Sequence, residues 1–138
     1  MERKEFCEIV TDIRKKSSVK MKDICAQMGT LPTAIYRLER GTGNFEMGNM
    51  VLYLRILGCR IVVIDHNSQY QWLETNDFSK FLPLIRQENN ISQRILADKV
   101  GCVYTTIANI ERGTNIVSID TFLKIVDALG CELKIESI

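Results

Sequence analysis

Ile91-Ser92-Gln93-Arg94-Ile95-Leu96-Ala97-Asp98-Lys99-Val100-Gly101 reads as a short helix with both ends written into it. Ser92 is an N-cap residue type, whose side-chain oxygen accepts from a backbone N–H that the helix leaves unpaired. Ile95, Leu96 and Val100 are the inward positions, and Gly101 supplies the conformation on which helices commonly stop. A further short helix covers about residues 104–112, with Ile107 and Ile110 inward and Gly113 closing it. Upstream, Phe78, Phe81, Leu82 and Ile85 lie at i, i+3, i+4 and i+7, the spacing of an amphipathic helix. Pro83 removes a backbone donor there, so that helix is expected to start near Ser79 and keep the proline close to its first turn. Downstream, Ser118 caps a helix that begins near Ile119 and stops at Gly130. Beyond Gly130 the period changes to two: Cys131, Leu133 and Ile135 alternate with Glu132, Lys134 and Glu136, as in a strand with one wet face.

The same grammar occurs earlier in the chain. At an offset of 72 residues, 5–64 aligns with 77–136 without a gap, and 13 of 60 positions are identical. The identities include Phe6/Phe78, Arg14/Arg86, Gly29/Gly101, Thr33/Thr105, Ile35/Ile107, the run 39–42 with 111–114, and 57–59 with 129–131. Phe6, Ile9, Val10 and Ile13 repeat the opening amphipathic helix. Helices follow at about 21–28, 32–40 (Pro32 suiting a first turn) and from Met47 to a stop at Gly58. Residues 61–64 are apolar on both faces and are expected to form the more buried strand. Between the copies, 65–68 reads as a turn and 69–73 as a return strand. Three segments result: 1–64, a linker at 65–77, and 78–138. A short strand leaves its backbone unpaired, so 59–64 and 131–136 are expected to share one sheet that joins the copies.

Composition narrows the function. The net charge is +1, but residues 1–70 hold 11 Lys/Arg against 8 Asp/Glu and residues 71–138 hold 7 against 9, so a phosphate-attracting surface is biased to the first half. Five cysteines (Cys7, Cys25, Cys59, Cys102, Cys131) lack any C-x-x-C pair and share the chain with one histidine, His66, which sits in a polar turn. This favours reduced, buried thiols over a zinc site. The apolar stretch 47–64 is broken by Arg55, Arg60, Gly48 and Gly58 and makes a poor membrane span, and no signal peptide opens the chain, so a cytoplasmic location is expected. No phosphate loop, metal cluster or nucleophile–base set is present, so neither an enzyme nor a cofactor is expected.

The order helix, short helix, glycine, short helix, Glu-Arg-Gly, helix resembles the lambda-repressor and Cro-like (XRE) helix-turn-helix family. The resemblance is closest over 91–101, Thr105-Thr106-Ile107, Ile110-Glu111-Arg112-Gly113, Thr121-Phe122-Leu123 and Ala128-Leu129-Gly130, and it covers about residues 78–131. It implies a mainly α fold of tandem helix-turn-helix modules, each followed by a short strand. The first module is degenerate, with Met21 where Gln93 stands and Cys25 where Ala97 stands.

With Ile107 and Ile110 inward, Tyr104, Thr105, Ala108 and Asn109 face outward. The resemblance assigns base-edge contacts to Tyr104, Thr105 and Asn109, phosphate clamping to Gln93, and weaker phosphate contacts to Thr106, Arg112 and Thr114. In the first module Thr33 and Arg37 take the outward positions beside Pro32, ringed by Lys20, Lys22 and Arg40. The resemblance also implies that Arg14 pairs with Glu39 and Arg86 with Glu111, pinning helices together. The function implied is a sequence-specific, repressor-like regulator of double-stranded DNA, a pseudo-dimer within one chain that can also form a homodimer. The alternatives are an antitoxin that binds a toxin protein and represses its own operon, or an interaction scaffold without DNA binding.

Overall fold

The computed structural model describes residues 1–138. Its elements run α1 (Arg3–Lys16), α2 (Met21–Met28), α3 (Pro32–Arg40), α4 (Met47–Ile56), β1 (Cys59–Asp65), β2 (Ser68–Trp72), α5 (Asp77–Glu88), α6 (Gln93–Val100), α7 (Tyr104–Glu111), α8 (Ile119–Ala128) and β3 (Glu132–Ser137). Adding 72 to the bounds of α2 and α4 gives those of α6 and α8, so the sequence offset is also an offset of elements. Local chemistry sets these bounds. Ser92 accepts from the Ile95 N–H and Ser118 from the Thr121 N–H, as N-caps do. Gly29 and Gly101 close α2 and α6 at φ 65° and 84°, a region costly for side chains with a Cβ.

Two helical expectations need correction. α5 starts at Asp77, because the Asp77 carboxylate accepts from the backbone N–H groups of Leu73 and Glu74 at 2.9 and 2.8 Å and fixes the entry there. Pro83 therefore stands inside the helix, past its first turn, where it deprives the Ser79 carbonyl of its i+4 donor. On α6, Leu96, Ala97 and Val100 are buried but Ile95 is 48% exposed. Leu96 and Val100 are one turn apart and define the inner face, and Ile95 lies about 100° around the helix from Leu96.

The three strands form one antiparallel sheet in the order β2-β1-β3, with β1 central as its apolar sequence requires. One face carries Tyr70 and Trp72 beside Val63 and Ile61, then Leu133 and Ile135. The opposite face carries Gln69, Gln71, Lys134, Glu132 and Glu136 around Val62. Trp72 stacks on Phe78 at 4.9 Å and meets Phe122 edge-on at 5.1 Å, and Tyr70 stacks on Phe81 at 5.4 Å, so β2 seals the core over α5.

The register carries a symmetry. In the β1–β3 ladder Val62 pairs with Lys134, its own counterpart 72 residues on, and the flanking pairs are symmetric about it: Ile61 with Ile135, Val63 with Leu133. A second point behaves alike. Glu46 bridges its counterpart Ser118, with the Met47 N–H donating to the Val117 carbonyl and the Ile119 N–H to the Phe45 carbonyl, both at 2.8 Å. Antiparallel pairing of a residue with its own equivalent places a two-fold axis between them, as at an isologous dimer interface. Two such points fix a pseudo-two-fold axis through the loop before α4 and α8 and through the centre of the ladder. The buried side chains of both halves join in one cluster of 31 residues.

Departures from the symmetry are local. The Arg3 guanidinium donates to the Asp120 carboxylate through Nε at 2.9 Å and Nη2 at 2.6 Å, tying α1 to α8. At the related place stand Thr75 and Gly48, where a Cβ on Gly48 would meet Ile116 at 3.4 Å and Thr75 at 3.8 Å. An ion pair on one side is thus a close apolar contact on the other.

Candidate nucleic-acid interface

The surface in question is built on α7 and, 72 residues earlier, on α3. Ile107 and Ile110 are buried, and so are Ile35 and Leu38, which turns the opposite stripe of each helix to solvent. On α7 that stripe is Thr105, Asn109 and the capping Arg112, at i, i+4 and i+7, with Tyr104 beside it at the first helical position. Tyr104, Thr105 and Arg112 are exposed, and Thr106 and Asn109 half-buried. On α3 the matching stripe is Thr33, Arg37 and Arg40, all exposed. Thr33 and Arg37 border a concavity of about 420 Å³ with Asn44 and Asn49, and Arg40 borders another of about 590 Å³ with Tyr36 and Lys15. Lys20 and Lys22 lie exposed at the start of α2.

Ion pairs hold both stripes from behind. Arg86 donates to both Glu111 oxygens, through Nε at 2.8 Å and Nη2 at 2.9 Å, and also to the Ile91 carbonyl at 3.1 Å. Arg14 makes the same two-pronged contact with Glu39. Bidentate geometry with little exposure is the strong form of such a pair, and the hydrogen bond to the glutamate raises each arginine above its ordinary pKa range. Gln93 is part of this support: its Nε2 donates to Glu111 at 2.9 Å, which orients the side chain and leaves its oxygen available.

The exposed ends are also organised. Arg112 donates to the Asn109 side-chain oxygen, and Thr114 Oγ1 donates to the Asn109 carbonyl at 3.0 Å. Thr42 repeats the latter bond to the Arg37 carbonyl at 3.1 Å, so both threonines cap a helix end.

Several residues at this surface carried no motif. Arg94 lies with its guanidinium 4.3 Å from the Tyr104 ring centre, a cation–π contact that fixes the tyrosine. Leu31 and Val103, the residues just before α3 and α7, are 71% and 68% exposed. They are repeat counterparts, and two apolar residues conspicuous at equivalent turn positions were the available signal. Tyr53, whose hydroxyl donates to Glu39, had none, because its counterpart is Ile125.

A helix-turn-helix family model matches residues 84–135, which take in the last five residues of α5, all of α6, α7 and α8, and the first four residues of β3. Residues 84–135 are a helix-turn-helix domain. The model it matches is of the XRE kind, a DNA-binding domain of transcription regulators, and the α7 stripe lies within the matched residues. Residues 1–83 lie outside the match. Comparisons with curated proteins and with solved structures each found no match to the chain. No helix of the domain or of the rest of the chain is long and apolar enough to cross a membrane.

Proposed function

We propose that the chain is a sequence-specific, repressor-like regulator that reads double-stranded DNA with two helix-turn-helix modules. Residues 1–64 are the degenerate one, 65–77 the linker and 78–138 the better-formed one. The observation that carries this reading is the pseudo-two-fold axis, marked by Val62 opposite Lys134 and Glu46 opposite Ser118. It relates α3 to α7 as a dimer relates its two recognition helices, and paired recognition helices read half-sites about 10 base pairs apart.

Within the second module, Asn109 has the chemistry to pair with adenine, and Thr105 and Tyr104 to touch a thymine methyl or make one hydrogen bond. Gln93, Thr106, Arg112 and Thr114 meet phosphates. In the first, Arg37 suits the two-pronged contact to guanine beside Thr33, and Lys20, Lys22 and Arg40 supply charge. The stripes share only the threonine and the terminal arginine, so the two half-sites differ in sequence.

Selection of binding sites from a random DNA pool, with the stoichiometry of the complex measured, tests this. One chain on one site with two unlike half-sites is expected. A palindromic optimum occupied by two chains would overturn the single-chain reader, and absence of any salt-sensitive binding would overturn the DNA reading.

A further inference from the structure

The pseudo-two-fold axis maps β1 onto β3 and α5 onto α1, but β2 has no counterpart among residues 1–138. The place beside β3 that corresponds to β2 is open, and the exposures show it. Phe81 and Ile85 on α5 and Ile61 and Val63 on β1 are buried. Their counterparts Ile9, Ile13, Leu133 and Ile135 are not: Ile9 is 39% exposed and the other three are only partly buried. The backbone is open as well. The Ile138 N–H donates to the Gly58 carbonyl, so residues 132, 134 and 136 direct their backbone groups to β1, and Leu133, Ile135 and Ser137 direct theirs away from the sheet.

We infer that this edge is a docking site for an extended segment of a protein partner, which adds as a fourth, antiparallel strand beside β3 and sets a large apolar side chain, aromatic by preference, against Ile9. The chemistry of the occupant follows from β2, which fills the related place with Tyr70 stacked on Phe81, the counterpart of Ile9. The Trp72-equivalent position is already taken, because Phe6 and Met50, counterparts of Phe78 and Phe122, are fully buried without it. Recognition therefore falls on one side chain over Ile9 and on the outward backbone groups, the division of labour of strand addition generally. Glu132, Lys134 and Glu136 lie on the other face and keep the free edge soluble.

A second copy of this chain is a poorer occupant. By the same axis α1 overhangs the open place as α5 overhangs β2, so β3–β3 pairing would set two α1 helices about one strand spacing apart, roughly 4.8 Å. Helices pack at about 8–10 Å. The inference does not depend on the DNA reading.

The test is a titration of the full chain, followed by amide NMR and hydrogen exchange, with the capped peptide Thr-Ser-Gln-Tyr-Gln-Val-Lys, which keeps residues 68–71 of β2. Saturable binding is expected, with shifts and new exchange protection at the Leu133, Ile135 and Ser137 amides. Ile9→Glu should weaken it at least tenfold while the far-UV spectrum and melting stay unchanged, and Ile9→Ala gives the same reading in smaller measure should the glutamate variant unfold. The same peptide with proline in place of its tyrosine should not bind. No saturable binding, shifts centred on the β1 amides (exchange with β2), or protection of β3 that rises with protein concentration in the absence of peptide would each overturn the inference.

Discussion

Glu39 and Glu111 occupy the same place in the repeat and complete their hydrogen bonding differently. Each takes two bonds from an arginine on the first helix of its half. The further donor is Tyr53 from α4 for Glu39 and Gln93 from α6 for Glu111, where the counterparts are Ile125 and Met21. The partner has moved from one helix to another, and a carboxylate with little access to water is served either way. Tyr53→Phe should therefore lower stability by about 1–3 kcal/mol in urea unfolding, the cost of an acceptor left short. Gln93→Met should cost less, because Gln93 is half-exposed, and adding Ile125→Tyr should recover part of the loss. Arg86→Ala should cost about 3–5 kcal/mol, and a cycle with Glu111→Ala should show coupling of about 1 kcal/mol or more. The arginine–glutamate pairs were legible because both partners recur at one offset and the family resemblance implies that they pair. The roles of Tyr53 and of Gln93 as a support were not, since neither residue repeats.

Alkali probes the same interior. Burial pushes the Cys7 and Cys131 thiols up to about 11 from an ordinary 9.0, and burial followed by the bond to Glu39 raises Tyr53 too. The folded state then holds protons that the unfolded chain releases, so this stabilisation is complete below pH 9 and is lost as pH rises from 9 through 11. Melting temperatures measured across that interval should fall, and less steeply in a Cys7→Ala variant.

At the scale of elements, helix ends were legible where a cap or a glycine writes them, and strands where the period changes. The start of α5 is not legible in the spacing, because the residue that sets it, Asp77, acts by bonding backbone that precedes it, Leu73 and Glu74. Pro83 is consequently a fault within a formed helix. Pro83→Ala should raise stability by about 1–3 kcal/mol in denaturant unfolding, as the Ser79 carbonyl regains its donor. The α1 face is more exposed than its spacing predicts, with Ile9 39% exposed. Its i, i+3, i+4, i+7 pattern matches that of α5, but Ile9 lacks the strand that covers Phe81, and no local pattern states whether a cover is present.

At the scale of the molecule, the repeat announced two halves and a shared sheet, but not the axis between them. That depended on register, and on the Glu46–Ser118 bridge, whose residues have nothing in common but their offset. The proposed division of labour between the halves follows from their unlike outer stripes. Asn109→Ala should relax discrimination at about one base pair, by roughly 1–3 kcal/mol, in competition binding. Lys20→Ala or Lys22→Ala should weaken all sequences alike and reduce the salt slope by about one.

The covalent link across the axis also changes what mass action can do. Separate subunits fall apart on dilution, whereas two faces held by the short connection from β1 through β2 to α5 meet at an effective concentration of the order of millimolar, however few molecules a cell contains. The paired arrangement therefore stays intact when the protein is scarce, and for the single-chain reader proposed above occupancy of a DNA site would follow copy number in direct proportion instead of its square.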